Sequence, residues 1–233
     1  IRVIFKTIFV YSISFLIVFT ILSSAIIFIF NWIDPPTTAF IQSKSTFGLI
    51  ASTNDYKYEW KNIDKISPHF PLAVIASEDQ LFFEHNGFDV VQIQKAIDEM
   101  ESGRRVRGAS TISQQVAKNL FLWEDKSFIR KGFEAYFTVL IELIWSKKRI
   151  LEVYINICEL GKNIYGIESA SKYYFNKSSE RLTQGEAALI ATVLPNPSVR
   201  NPAKPSPYMM NRKENILRQM KNLGGKEIIL KKL

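Results

Sequence analysis

The 233-residue sequence contains a single cysteine, Cys158, so no intramolecular disulfide can staple it; this absence neither supports nor opposes an exported location. There is no CxxC pair and only two histidines, His69 and His85, which argues against a structural zinc site. Internal repeats and low-complexity tracts are missing, and no stretch alternates convincingly enough to call for a multi-stranded sheet. Aromatic residues sit in apolar helical runs and form no base-stacking motif, which removes one route to nucleic-acid binding. Charge is missing altogether from Thr7 to Ile33.

That uncharged run, at about 1.5 Å per residue, is long enough to cross a hydrocarbon layer of roughly 30 Å with some tilt. A cleaved signal peptide would have a shorter apolar region ending in small residues. Here Trp32, followed by Asp34, Pro35 and Pro36, reads as an interfacial anchor and a helix stop. The expected organisation is therefore a cytoplasmic N-terminus over 1–6, a transmembrane helix over 7–33, a juxtamembrane segment over 34–60 and one domain over 61–233. Arg2 and Lys6 before the span and Asp34 after it place the domain outside the cytoplasm by the positive-inside bias. The net charge of +8 then favours anionic headgroups or phosphates, because this topology excludes nucleic acid.

The domain reads as mainly helical. Apolar positions recur at helical spacing in PLAVIASEDQLFF and again from Val90 to Met100. Ser110 or Thr111, then Ser127, are candidate N-caps for two further helices. Another helix is expected from Lys147 to Leu160 with Gly161 as its cap. Thr183 and Glu186 have capping-box spacing, and Ser206-Pro207 opens a last helix ending near Gly224. The basic segment SGRRVRGAS lacks an apolar stripe and reads as a mobile loop.

Chemistry concentrates in three places. Where the first apolar helix runs into a turn stand Glu78, Asp79, Phe82, His85, Gly87 and Asp89. A carboxylate there can be partly desolvated, which raises its pKa and makes it a better proton acceptor. The alternative is structural, with Asp79 and Asp89 holding His85 and the turn, and it is preferred for those three. Next, Ser110, Thr111, Gln114, Gln115, Lys118 and Asn119 line a helix entrance whose free N–H groups suit a phosphate; Ser110, Gln114 and Lys118, spaced by four, would share one face. The competing reading is an ordinary polar cap. Last, Arg130 and Glu134 are i,i+4 neighbours near Lys131 and Glu142, either a surface ion pair or a group that neutralises a pyrophosphate directly or through a divalent metal. Lys147, Lys148 and Arg149 read as a solvated or membrane-facing helix start, and Tyr154 and Asn156 as packing residues.

In this order the segments EDQLFFEHNGFD, RGASTISQQVAKNLFL, RKGFEAYFTVLIE, KKRILEVYIN and EAALIATVLPNPSVRNP resemble glycosyltransferase family 51, the peptidoglycan glycosyltransferases, and specifically its monofunctional biosynthetic members. Gly108-Ala109 stands where bifunctional relatives usually carry two glycines. The resemblance implies a helical, lysozyme-like, two-lobed domain behind one transmembrane helix. It further implies Glu78 as catalytic base, Glu134 as a second essential carboxylate, and Ser110, Gln114, Gln115, Lys118 and Arg130 as residues lining the donor phosphate and sugar site. Lipid II and the nascent lipid-linked glycan are the expected substrates, with membrane lipid around them and cell-division or elongation proteins as further candidate partners. No cofactor is required on this reading; a divalent cation, Mg or Mn, at Glu134 is the optional addition. The setting it implies is the bacterial cytoplasmic membrane.

Overall fold

The computed structural model of the chain describes residues 2–47, 56–103, 108, 110–123, 125 and 127–233. The uncharged N-terminal run winds into helix α1 (Arg2–Ile29), and a turn carries the chain on to Ile33, so the helix begins earlier and ends sooner than the expected 7–33. Its stretch Ile4–Ile29 is long and apolar enough to cross a membrane. Phe9 and Phe15 are 64% and 70% exposed, a surface that fits lipid and would be costly in water. The short helix α2 (Ala39–Phe47) follows. Of the segment 34–60, residues 48–55 lie outside the described residues, as do Arg104 to Arg107 and Ala109 of the expected basic loop.

The domain is mainly helical. Helix α3 (His69–Glu78) is buried from Phe70 to Ala76; it is apolar all round because other helices enclose it. Helix α4 (Val90–Glu101) starts where Asp89 Oδ1 accepts from Gln92 N, and it has no fully buried residue. Then come α5 (Ile112–Phe121), α6 (Phe128–Ile144) and α7 (Lys147–Ile157), with N-caps Thr111, Ser127 and Ser146. Helix α7 is buried from Arg149 to Ile157 and packs against α3, α5 and α6, which makes it the centre of the core.

Helix α7 ends at Ile157, short of the expected Leu160, because Glu159–Gly161 leaves it as strand β2. With β1 (Lys57–Tyr58) and β3 (Ile164–Tyr165) it forms a three-stranded sheet in the order β1-β3-β2, parallel on one side and antiparallel on the other. Strands of two or three residues carry no readable alternation, which is why the sequence showed no sheet. Helices α8 (Ile167–Phe175), α9 (Gln184–Ala191) and α10 (Pro207–Asn222) follow, α9 opening on the Thr183–Glu186 capping box. Helix α10 is not the last. Gly224 and Gly225, both at positive φ, turn the chain into α11 (Lys226–Lys232), which packs on α3.

Helix α1 is joined to the domain along one face. Phe19 meets Tyr136 and Phe137 of α6, Ser23 Oγ lies 2.6 Å from the Tyr136 hydroxyl, and Trp145 Nε1 donates to Ile27 O at 2.7 Å. Beyond the helix end, Arg149 donates to Phe30 O and Ile33 O and pairs with Asp34 and Glu152 at 2.9 and 2.7 Å. Arg149 is only 8% exposed, so the expected solvated helix start is corrected: this side chain satisfies carbonyls left over where α1 ends. Replacing it strands Glu152 and those carbonyls together. Arg149→Ala is expected to lower unfolding stability by about 3 kcal/mol or more, read by chemical denaturation in detergent.

Candidate active site

The first two sequence segments that carry chemistry meet at the N-terminus of α5, and the third reaches it through Glu142. Glu78 is the last residue of α3, where the buried run gives way to a turn. Its neighbour Asp79, 5% exposed, accepts from His85 Nε2 at 2.9 Å and from the Ile112 backbone at 2.9 Å. Gly87 N donates to His85 Nδ1, so the ring proton resides on Nε2, facing Asp79. Thr111 caps α5 and also donates to Gly87 O at 2.6 Å. These bonds tie the turn after α3 to the mouth of α5.

Helix α6 closes the third side. Gly87 has φ of +89°, and a Cβ there would lie 2.7 Å from Thr138 Cγ2 and 3.0 Å from Glu142 Cγ. Glu142 accepts from Ser113 and from Lys147 Nζ, at 2.8 Å for the lysine, while Lys147 also donates to His85 O and lies over the buried Phe82 ring. One turn before Thr138 stands Glu134, 2% exposed, paired with Arg130 at 2.7 Å and with Lys131. The Arg130–Glu134 pair is therefore buried, not the surface salt bridge that i,i+4 spacing alone allowed. Arg130 is 9% exposed, and its buried Nε has no hydrogen-bond partner among the described residues.

Glu78 itself keeps 15% of its side-chain exposure. Gln115 Nε2 donates to its Oε2 at 3.3 Å, and Arg212 Nη2 of α10 lies 3.5 Å from its Oε1. Burial raises its pKa, against the lowering pull of Gln115, Arg212 and Ser77; Asp79 pushes upward as well. A carboxylate in this state is more basic than an exposed one, which suits proton abstraction.

The remaining predicted residues are placed as follows. Ser110 is exposed and precedes the cap, so it does not share a helical face with Gln114 and Lys118 as the spacing implied. The Gln114 side chain folds back to accept from Thr111 N in a capping box. Lys118 is half-buried and Asn119 buried, both on α5. Asp89 serves as the cap of α4. Arg212 and the Ser113–Glu142–Lys147 chain escaped the sequence reading. Arg212 is 134 positions from Glu78, and no local pattern marks such a pairing.

The family described as Transglycosylase matches residues 46–221. A protein of Bacteroides thetaiotaomicron named biosynthetic peptidoglycan transglycosylase is 59% identical over 165 residues, 71% of this chain and 66% of that protein. Proteins of the same name from Shewanella oneidensis and Cronobacter sakazakii are 50% identical over 203 residues and 55% over 177, covering 87% and 74% of this chain and 86% and 73% of theirs.

Gly87→Ala must strain a positive φ and push apart Thr138 and Glu142. It is expected to cost about 2 kcal/mol or more in stability. Thermal unfolding checks this, and a variant as stable as the parent would show that the turn is not packed as described.

Proposed function

We propose a function that proceeds from one fact: this chain belongs to the Transglycosylase family, whose domain has the lysozyme-like glycosyltransferase family 51 fold. It is a glycosyltransferase that polymerises peptidoglycan glycan strands. The donor in this reading is a sugar carried on undecaprenyl pyrophosphate, lipid II or the growing lipid-linked glycan, and the acceptor is a GlcNAc 4-hydroxyl.

The observation that carries the mechanism is the setting of Glu78, a largely buried carboxylate of raised pKa, held by Gln115 and Arg212 at the end of an apolar helix. Glu78 removes the acceptor hydroxyl proton as that oxygen attacks the donor's anomeric carbon. The bond to the pyrophosphate breaks on the opposite face, so the configuration inverts and a β-1,4 link forms; the geometry is that of an inverting glycosidase with a sugar hydroxyl in place of water. Lys118, Arg130 and Lys131 offset the charge on the departing pyrophosphate, with Ser110, Gln114 and Gln115 nearby on the donor side. The buried Nε of Arg130 supports this, since it is a donor that finds no acceptor among the described residues. Glu134 orients the two cations.

A divalent cation at Glu134 fits this donor set poorly. The carboxylate already bonds two positive side chains, and a hard cation there would face both of them.

Helix α1 serves in this reading as a single-pass anchor, with its N-terminus cytoplasmic and the domain on the outer face of the cytoplasmic membrane. It keeps the site within reach of substrates whose lipid tails stay in the bilayer.

The test is polymer formation by the purified full chain from labelled lipid II. Polymer should form and should be blocked by a phosphoglycolipid inhibitor; shortening of preformed glycan without consumption of lipid II would point instead to a cleaving enzyme. Glu78→Gln is expected to lower the rate by about 10²–10⁴-fold with substrate binding retained. Near-normal polymer from that variant would remove Glu78 from the role. Lys118→Ala should lower the rate across substrate concentrations, and an unchanged rate would count against its place beside the pyrophosphate. Because protonation silences the base, kcat/KM should fall as pH drops through the raised pKa of Glu78.

A further inference from the structure

We propose that Tyr154 is a positioning residue for the transfer reaction: its buried hydroxyl holds the Gln115 amide in the one orientation that hydrogen-bonds Glu78. The Tyr154 hydroxyl donates to Gln115 Oε1 at 3.0 Å, and the same amide donates through Nε2 to Glu78 Oε2 at 3.3 Å. An amide has a donor end and an acceptor end. Turned over, Gln115 would point its carbonyl oxygen at a carboxylate, and the two would repel. The tyrosine hydroxyl, donating to the acceptor end, anchors the amide in the orientation that presents its donor end to Glu78.

Tyr154 sits in the most enclosed part of α7, at 0% exposure, with Val153 and Ile155 equally buried. The hydroxyl is therefore closed off from bulk solvent. A ring needed only for packing would not require an oxygen at all, whereas here a polar atom in the core is spent on one contact with the site. Burial, reinforced by the charge on Glu78, keeps the phenol protonated far above its ordinary range, so it stays a donor.

The groups facing Glu78 are few. Asp79 and Ser77 come from its own segment, Gln115 from α5, Tyr154 from α7, the buried Cys158 from the residue that caps α7, and Arg212 from α10. Lys226 and Glu227 of α11 act on His69 at the other end of α3, and Glu186 of α9 is held by Lys177 and Thr183. Among these, Gln115 is the neutral donor whose orientation can reverse. Losing its bond removes an influence that lowers the Glu78 pKa, so the base is protonated at a higher pH.

This inference rests on Glu78 as the base. The experiment is the pH dependence of lipid II polymerisation by the full chain in detergent, for the parent, Tyr154→Phe and Glu78→Gln. Tyr154→Phe should move the acid limb of kcat/KM upward by about 0.4–1 pH unit. Its kcat should fall while KM stays within about twofold. An unmoved acid limb overturns the proposal even if the rate falls, because a packing defect lowers rate without shifting that limb. Infrared difference titration against Glu78→Gln reads the same carboxyl without turnover. Should Tyr154→Phe not fold, Gln115→Met breaks the relay from its other side, and its Glu78 titration must rise equally; an unmoved titration overturns the proposal. Wild-type polymerisation by Glu78→Gln is a separate result, which sinks the base assignment and the relay with it.

Discussion

The Asp79 carboxylate accepts one hydrogen bond on each oxygen, from the His85 ring and from the Ile112 backbone at the mouth of α5, while almost wholly removed from water. A buried carboxylate is tolerated only where such donors replace its hydration, and the helix N-terminus adds a favourable dipole. Everything near Glu78 depends on this joint. It fixes the turn that follows α3, and through that turn the distance from Glu78 to Gln115. Thr111 and Gly87 make a second tie a few ångströms away, and the missing Cβ of Gly87 lets α6 approach closely enough for Glu142 to brace Ser113 and Lys147.

Charge is distributed in two ways around this joint. Glu134 meets a cation on each oxygen, Arg130 on one and Lys131 on the other, both from its own helix. Glu78 is compensated only in part, by a neutral amide and by an arginine 3.5 Å away. The contrast sets their chemistry apart. In the proposed mechanism the fully paired carboxylate orients cations and the half-paired one takes the proton.

The membrane helix is tied to the same framework. Arg149 and Trp145 bind carbonyls at the end of α1, while α7, which carries Arg149, also carries Tyr154. The helix that meets the anchor is thus the helix that backs the site. In the proposed mechanism, a substrate held by its lipid tail and the Glu78 base would share one reference frame through α7.

Local sequence determined much of this protein. The uncharged run at the N-terminus could become only a long apolar helix, and caps such as Thr111, Ser127 and Thr183 announced their helices because capping is a contact within four residues. The order of five segments was enough to identify the family. Tertiary structure decided what lies far apart along the chain. Arg212 reaches Glu78, Arg149 closes the end of α1, and residues 57–58 pair with residues 164–165. It also decided burial, turning an apparent surface pair at Arg130–Glu134 into an interior one and an apparent packing tyrosine into the partner of Gln115. Glu78 was legible as a carboxylate closing an apolar helix. Its desolvation was not, because how much water a side chain retains depends on helices that arrive from elsewhere in the sequence.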